Sequence, residues 1–178
     1  MNMETAIRAA LAGRVHELGV IETSGIVFSP ELYAVCTANV CGNYGKCWTC
    51  PPAAGTMEEQ REKILRWKRA LIVTTKFDLE DPFDIEGMQT ARTLHNSLAG
   101  DIRERFTANP VYAAGGCGVC GVCAYPGSCR FPDRALPAVE AAGIDVAALS
   151  RAARLKYNNG PNTVTYFSMI LFNGREAG

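Results

Sequence analysis

Two hydrophobic periods alternate along this chain, and between them they assign most of the elements. Ile7, Leu11, Val15 and Leu18 recur every three or four residues, which predicts a first helix over Glu4 to Leu18 closed by Gly19. Ile21 to Phe28 reads as a short strand. Ser29 is an N-cap with Pro30 at the first helical position, opening a short helix that carries Cys36. Thr56-Met57-Glu58-Glu59 is a capping box, and the helix it starts is expected to reach about Lys68. Ala70 to Phe77 (ALIVTTKF) has the β-branched, apolar character of a central strand. Asp84 to Phe106 is the longest helical pattern, with Ile85, Met88, Leu98, Ile102 and Phe106 on one broad face. Val111 to Ala114 is a short strand. Pro137 to Ala142 reads as a helix stopped by Gly143, and Asp145 caps another that runs to about Leu155. Thr163 to Phe172 (TVTYFSMILF) is a second central strand.

A strand, a long helix and a strand in succession form a βαβ unit, so at least one parallel pair is expected. The fold class is therefore α/β: a two-layer or three-layer sandwich with a small mixed sheet. The 178 residues, 48% of them hydrophobic, suffice for a single domain spanning 1–178. What the periods leave over is two irregular segments, 36–55 and 115–132. Gly42, Gly45 and the Pro51-Pro52 pair break regular structure in the first, and Gly115, Gly116, Gly118 and Gly121 do so in the second.

Charge narrows the function. Eighteen basic residues balance eighteen acidic ones without a basic stripe, which argues against nucleic acid as the partner. The apolar runs Ala70–Val73 and Met169–Phe172 are far too short to span a membrane. Glu4, Arg8, Arg14 and Glu17 make the N-terminal helix amphipathic, unlike an export signal, so a cytoplasmic location is expected. Disulfides rarely persist in that reducing compartment.

The two irregular segments hold all eight cysteines. Cys36, Cys41, Cys47 and Cys50 read C-x4-C-x5-C-x2-C, and Cys117, Cys120, Cys123 and Cys129 read C-x2-C-x2-C-x5-C. Thiolates grouped by fours on flexible loops are the pattern of metal chelation. The run Cys117, Cys120, Cys123 matches the first three ligands of the bacterial ferredoxin loop, in which tight spacing wraps three corners of a [4Fe–4S] cluster. Its glycines let the backbone wind closely around the sulfurs. Zinc sites instead pair two C-x2-C knuckles across a longer spacer, so the spacing favours iron–sulfur over zinc. The departure is the fourth ligand: five residues precede Cys129, where the ferredoxin run has three and then Cys-Pro. Cys50-Pro51 supplies that ending elsewhere. Ligation is thus open between local quartets and a crossed set in which Cys50 joins Cys117, Cys120 and Cys123. Cys47 is either a ligand or a bystander beside Trp48; in the second case three ligands leave an iron open to substrate. Thiol–disulfide exchange at Cys47-x2-Cys50 ranks below these, since the motif lacks a βαβ setting.

Nothing else in the chain competes. His16 and His95 sit in predicted helices without a partner motif. Lys46, Arg130 and Arg134 flank the loops and are placed to offset thiolate charge, although solvated side chains need no such role. Tyr44, Trp48, Tyr125 and Phe131 can shield a metal centre or simply pack the loops. Asp81, Asp84 and Glu86 are explained by the start of the long helix. No Walker loop, dinucleotide fingerprint, nucleophile elbow or H-E-x-x-H is present.

The segments CGNYGKCWTCPPAAGT and CGVCGVCAYPGSCRFPDRALPAVEAAGIDV resemble the hallmarks of a prokaryotic family of unknown function, described as predicted metal-binding proteins. The resemblance covers nearly the whole chain, through TVTYFSMILF. It implies cysteine-bound metal at Cys36, Cys41, Cys50, Cys117, Cys120, Cys123 and Cys129; Cys47 falls where that family is less fixed. The expectation is one or two [4Fe–4S] clusters and electron transfer to a protein partner. The alternatives are an enzyme with an open iron acting as Lewis acid, or a zinc-stabilised binding module.

Overall fold

Two ten-residue segments rich in apolar and β-branched residues make the long strands, and these two organise everything else. The computed structural model describes residues 3–11 and 13–173. In it β2 (Arg69–Asp78) and β4 (Thr163–Phe172) pair antiparallel over their full length, from Arg69 opposite Phe172 to Asp78 opposite Thr163. β1 (Glu17–Glu22) adds to the outer edge of β2 and β3 (Val111–Tyr112) to that of β4, giving the order β1-β2-β4-β3.

Successive residues of a strand face opposite sides, and here both sides are covered. Leu71, Val73 and Ile170 face α1 (Met3–Ala10) and α4 (Ile85–Arg105), through Ile7, Leu98 and Ile102. Ala70, Ile72, Met169 and Leu171 face α3 (Met57–Leu65), α5 (Val146–Ala152) and the 3-10 turn Glu140–Ala142, through Ile64, Leu149 and Ala142. The fold is a three-layer α/β/α sandwich. Each fully buried aliphatic contributes about 1.5–3 kcal/mol, so the apolar runs of β2 and β4 hold both outer layers.

The expected strand–helix–strand path exists as β2, α4 and β3. β2 and β3 point the same way, because each is antiparallel to β4. β4 lies between them, however, so the four-stranded sheet is antiparallel rather than mixed, and among the described residues parallel pairing is confined to the single bridge Ala113–Ala138.

Three further expectations are corrected. The first helix ends at Ala10, and Leu18 belongs to β1. Gly13, at φ +80°, takes the left-handed turn that ends helices, and the apolar spacing of Val15 and Leu18 continues the helical rhythm only by coincidence. Gly19 sits within a strand, because a β-carbon there would come 2.5 Å from the carbonyl oxygen of Ala153. The segment Ile21 to Phe28 is only partly strand: a 3-10 turn at Thr23–Gly25 interrupts it. The region 137–142 contracts to the 3-10 turn, with Gly143 at φ +74° as its cap.

The caps fall where expected. Ser29 accepts from the Leu32 N–H to start α2 (Pro30–Thr37), Asp84 accepts from Gly87 to start α4, and Asp145 accepts from Ala148 to start α5. Thr56 and Glu59 close the capping box of α3. Among the described residues no helix is long and apolar enough to cross a membrane.

Candidate metal centre

The first cysteine loop hangs between α2 and α3, and the second between β3 and the 3-10 turn. Each contains one cis proline peptide, at Pro51-Pro52 and at Tyr125-Pro126. Asn96 of α4 fixes the start of the second loop: its Nδ2 donates to the Ala114 carbonyl at 2.9 Å and its Oδ1 accepts from the Ala114 N–H at 3.2 Å.

The loops interlock. The Cys117 N–H donates to the Thr49 hydroxyl at 3.2 Å, and Trp48 Nε1 donates to the Gly127 carbonyl at 2.8 Å. The Trp48 and Tyr125 rings meet edge to face at 5.0 Å. Gly116 lies so close to the first loop that a β-carbon would stand 3.1 Å from Asn43 Nδ2 and 3.6 Å from the Cys50 sulfur.

This contact regroups the cysteines. A cleft is lined by Cys117, Cys120, Cys123 and Cys129 of the second loop and by Cys47 of the first, under Trp48, Thr49 and Phe131. Cys36, Cys41 and Cys50 do not line it. Cys47 and Cys50 are buried, Cys41 is exposed, and the other five are intermediate.

Electrostatics links the two sets. The Cys50 thiol donates to the Cys47 sulfur, which chiefly accounts for a Cys47 thiol lowered to about 4. Burial opposes this, while the Thr49 hydroxyl and the backbone N–H groups of Thr49 and Cys117 add to it. Cys50 is raised for the reciprocal reason, and further by burial and by the charges of Cys47, Cys41 and Cys36. Cys36 is raised by burial first and then by the charges of Cys41 and Glu140. The Cys47–Cys50 pair thus shares one proton readily and resists losing both, and neighbouring thiols oppose ionisation of Cys36 and Cys50.

A bound cation relieves that repulsion by displacing the protons. Apart from the Thr49 hydroxyl, the donors lining the cleft are sulfur, which suits zinc and iron–sulfur groups rather than magnesium or calcium. Among the described residues no three cysteine, histidine or acidic side chains are already gathered tightly enough to grip a metal ion. The residues therefore fit a cysteine-bound group by chemistry, with the sulfurs left to close around it.

The remaining candidates divide. Phe131 and Trp48 line the cleft and Tyr125 backs Trp48. Arg134 stacks on Phe131 at 5.6 Å and Arg130 donates to the Val122 carbonyl at 3.2 Å, so both brace the second loop. Tyr44 and Lys46 are exposed. His16 is exposed and bonded to Asn159, and His95 is buried between Thr75 and Ser168. Asp81 and Asp84 serve turn and cap bonds at the start of α4. Sequence reasoning missed Thr49, whose position inside the C-x2-C knuckle was the available signal. It also missed Asn43, Asn96 and Glu140, which carried no signal; the Cys36 sulfur approaches the Glu140 carbonyl at 3.8 Å.

Fold and site together define a cysteine-rich metal-binding α/β domain. The chain belongs to the family described as predicted metal-binding protein (DUF2284), whose model matches residues 19–172. No curated protein and no solved structure matches it.

Proposed function

We propose that this protein binds a [4Fe–4S] cluster in the five-cysteine cleft, through Cys117, Cys120, Cys123 and Cys129, and exchanges electrons with a protein partner. The observation that carries this reading is the cleft itself: five sulfurs, three of them at successive C-x2-C spacing, with no nitrogen or carboxylate donor beside them. Such a group, when bound, stores and releases a single electron. The chain's residues do the rest. Thr49 and the backbone amides orient the sulfurs, and Cys47 offers a further acceptor linked through Cys50 to Cys36 and Cys41. Trp48 and Phe131 cover the cleft yet stay 37% and 42% exposed, so it lies near the surface where a partner docks. Anaerobic purification with iron, zinc and acid-labile sulfide analysis tests the reading. Colourless protein with stoichiometric zinc and no sulfide overturns it in favour of a zinc-stabilised module.

A second reading has its own observation. With Cys47 on the wall of the other cleft, Cys36, Cys41 and Cys50 are left as three candidate ligands, and Cys36 lines a separate cleft of 640 Å³. Three protein ligands beside a substrate-sized space describe an enzyme with an open iron. A change in the iron's electron paramagnetic resonance on adding a small thiol favours it, and an unchanged spectrum favours electron transfer.

A further inference from the structure

The 640 Å³ cleft beside Cys36 is within the size range of small-molecule sites. One wall is α2, which buries none of its residues and presents Leu32 and Val35 to the cleft at 45% and 50% exposure. Opposite stand the start of α5 and the segment of β4 beyond its pairing with β3. There the Tyr157 ring stacks on Phe167 at 5.9 Å, leaving Tyr157 56% exposed.

The charge of the lining has one sign. Glu31 and Asp145 contribute carboxylates, and no lysine, arginine or histidine lines the space; Glu140 also lines it, but burial raises its carboxyl above the usual range and Arg92 lies near it. Each carboxylate is held in place: Glu31 accepts from the Ser29 hydroxyl at 2.9 Å, Asp145 from the Ala148 N–H at 2.8 Å, and Glu140 from the Gly115 N–H at 3.1 Å. An ionised carboxylate has about four acceptor positions, so each keeps capacity for a ligand.

We propose that this cleft binds a small organic cation, an ammonium compound with an apolar body. The body covers Leu32 and Val35, the charge lies beside the Glu31 and Asp145 carboxylates, and the open face of Tyr157 offers a cation–π contact. Anionic ligands are excluded by the same carboxylates. Cys36 places the occupant beside one of those candidate ligands, but the proposal does not depend on which metal the cysteines hold.

Calorimetry on the intact, anaerobically purified chain tests it with three probes of similar shape: benzyltrimethylammonium, benzyl alcohol and benzoate. The cation is expected to bind about tenfold more tightly than the alcohol, with no benzoate binding and with affinity falling as salt rises. The double variant Glu31→Gln with Asp145→Asn removes charge while keeping both local hydrogen bonds, since asparagine also caps helices. It should weaken the cation about fivefold or more, and Tyr157→Ala about threefold or more, with alcohol binding less affected by the charge change. Equal affinity for the three probes, cation binding indifferent to these variants, or no cation binding below about 10 mM overturns the proposal. Iron and sulfide content, measured on the same samples, reports on the cluster reading separately.

Discussion

The Cys47 sulfur lies 3.3 Å from the hydroxyl of Thr49, which itself accepts from the Cys117 N–H, and this places a cysteine of the first loop on the wall of the second loop's cleft. Cys47 therefore belongs in space with Cys117, Cys120, Cys123 and Cys129. The spectroscopic signal abolished by Cys120→Ser should be altered in Cys47→Ser, with metal held about 10–100-fold less tightly, as for other residues that orient ligands. Cys41→Ser, on the exposed side, should leave that signal intact. Chelator competition on the three variants decides; a signal indifferent to Cys47 defeats the regrouping.

Thr49 is the hinge between the loops, accepting from the Cys117 N–H and lying 3.3 Å from the Cys47 sulfur. Its side chain is buried, so Thr49→Val keeps the shape and leaves the amide short of a partner. The expected loss is about 1–3 kcal/mol, read by urea unfolding of metal-free chain. Thr49→Ser should recover most of it, and equal damage from both variants points to packing instead.

Trp48 ties the loops by one hydrogen bond and one ring contact, to Gly127 and Tyr125. Trp48→Phe should cost about 1 kcal/mol, because the ring stays and only the N–H is lost. Trp48→Ala should cost more and speed metal loss to a chelator, since it also uncovers the cleft. Matching release rates for the two variants contradict a covering role.

Local signals carried the skeleton and failed at the centre. Ser29, Thr56, Asp84 and Asp145 each announce a helix by a short-range hydrogen bond, and β2 and β4 announce themselves by ten residues of strand character. Where β4 inserts is a long-range choice, invisible until the sheet assembles, and so the parallel pair was expected in its place. The eight cysteines were legible as candidate ligands in two groups, but their grouping by sequence distance was not their grouping in space. That depends on how Gly116 lets the second loop approach Cys50 and on which amide Thr49 meets, neither of which any spacing rule encodes.

His95 makes stability depend on pH through the core instead of through the cysteines. It is fully buried, with Nδ1 2.8 Å from the Thr75 hydroxyl and Nε2 2.7 Å from that of Ser168. Burial lowers it from 6.5 to about 4, opposed by the Phe167 backbone. Between those values the unfolded chain binds a proton that the folded chain refuses, so unfolding takes up a proton there. The stabilisation is complete above the unfolded value and is lost as pH falls toward the folded one, amounting to about 2 kcal/mol at pH 5 and about 3 kcal/mol over the full window. Urea unfolding of metal-free chain at pH 7 and pH 5 should show this drop. His95→Gln lowers the starting stability but should flatten the dependence by that amount, because glutamine does not titrate. An equally steep fall in the variant assigns the pH sensitivity to other groups and refutes the role of His95.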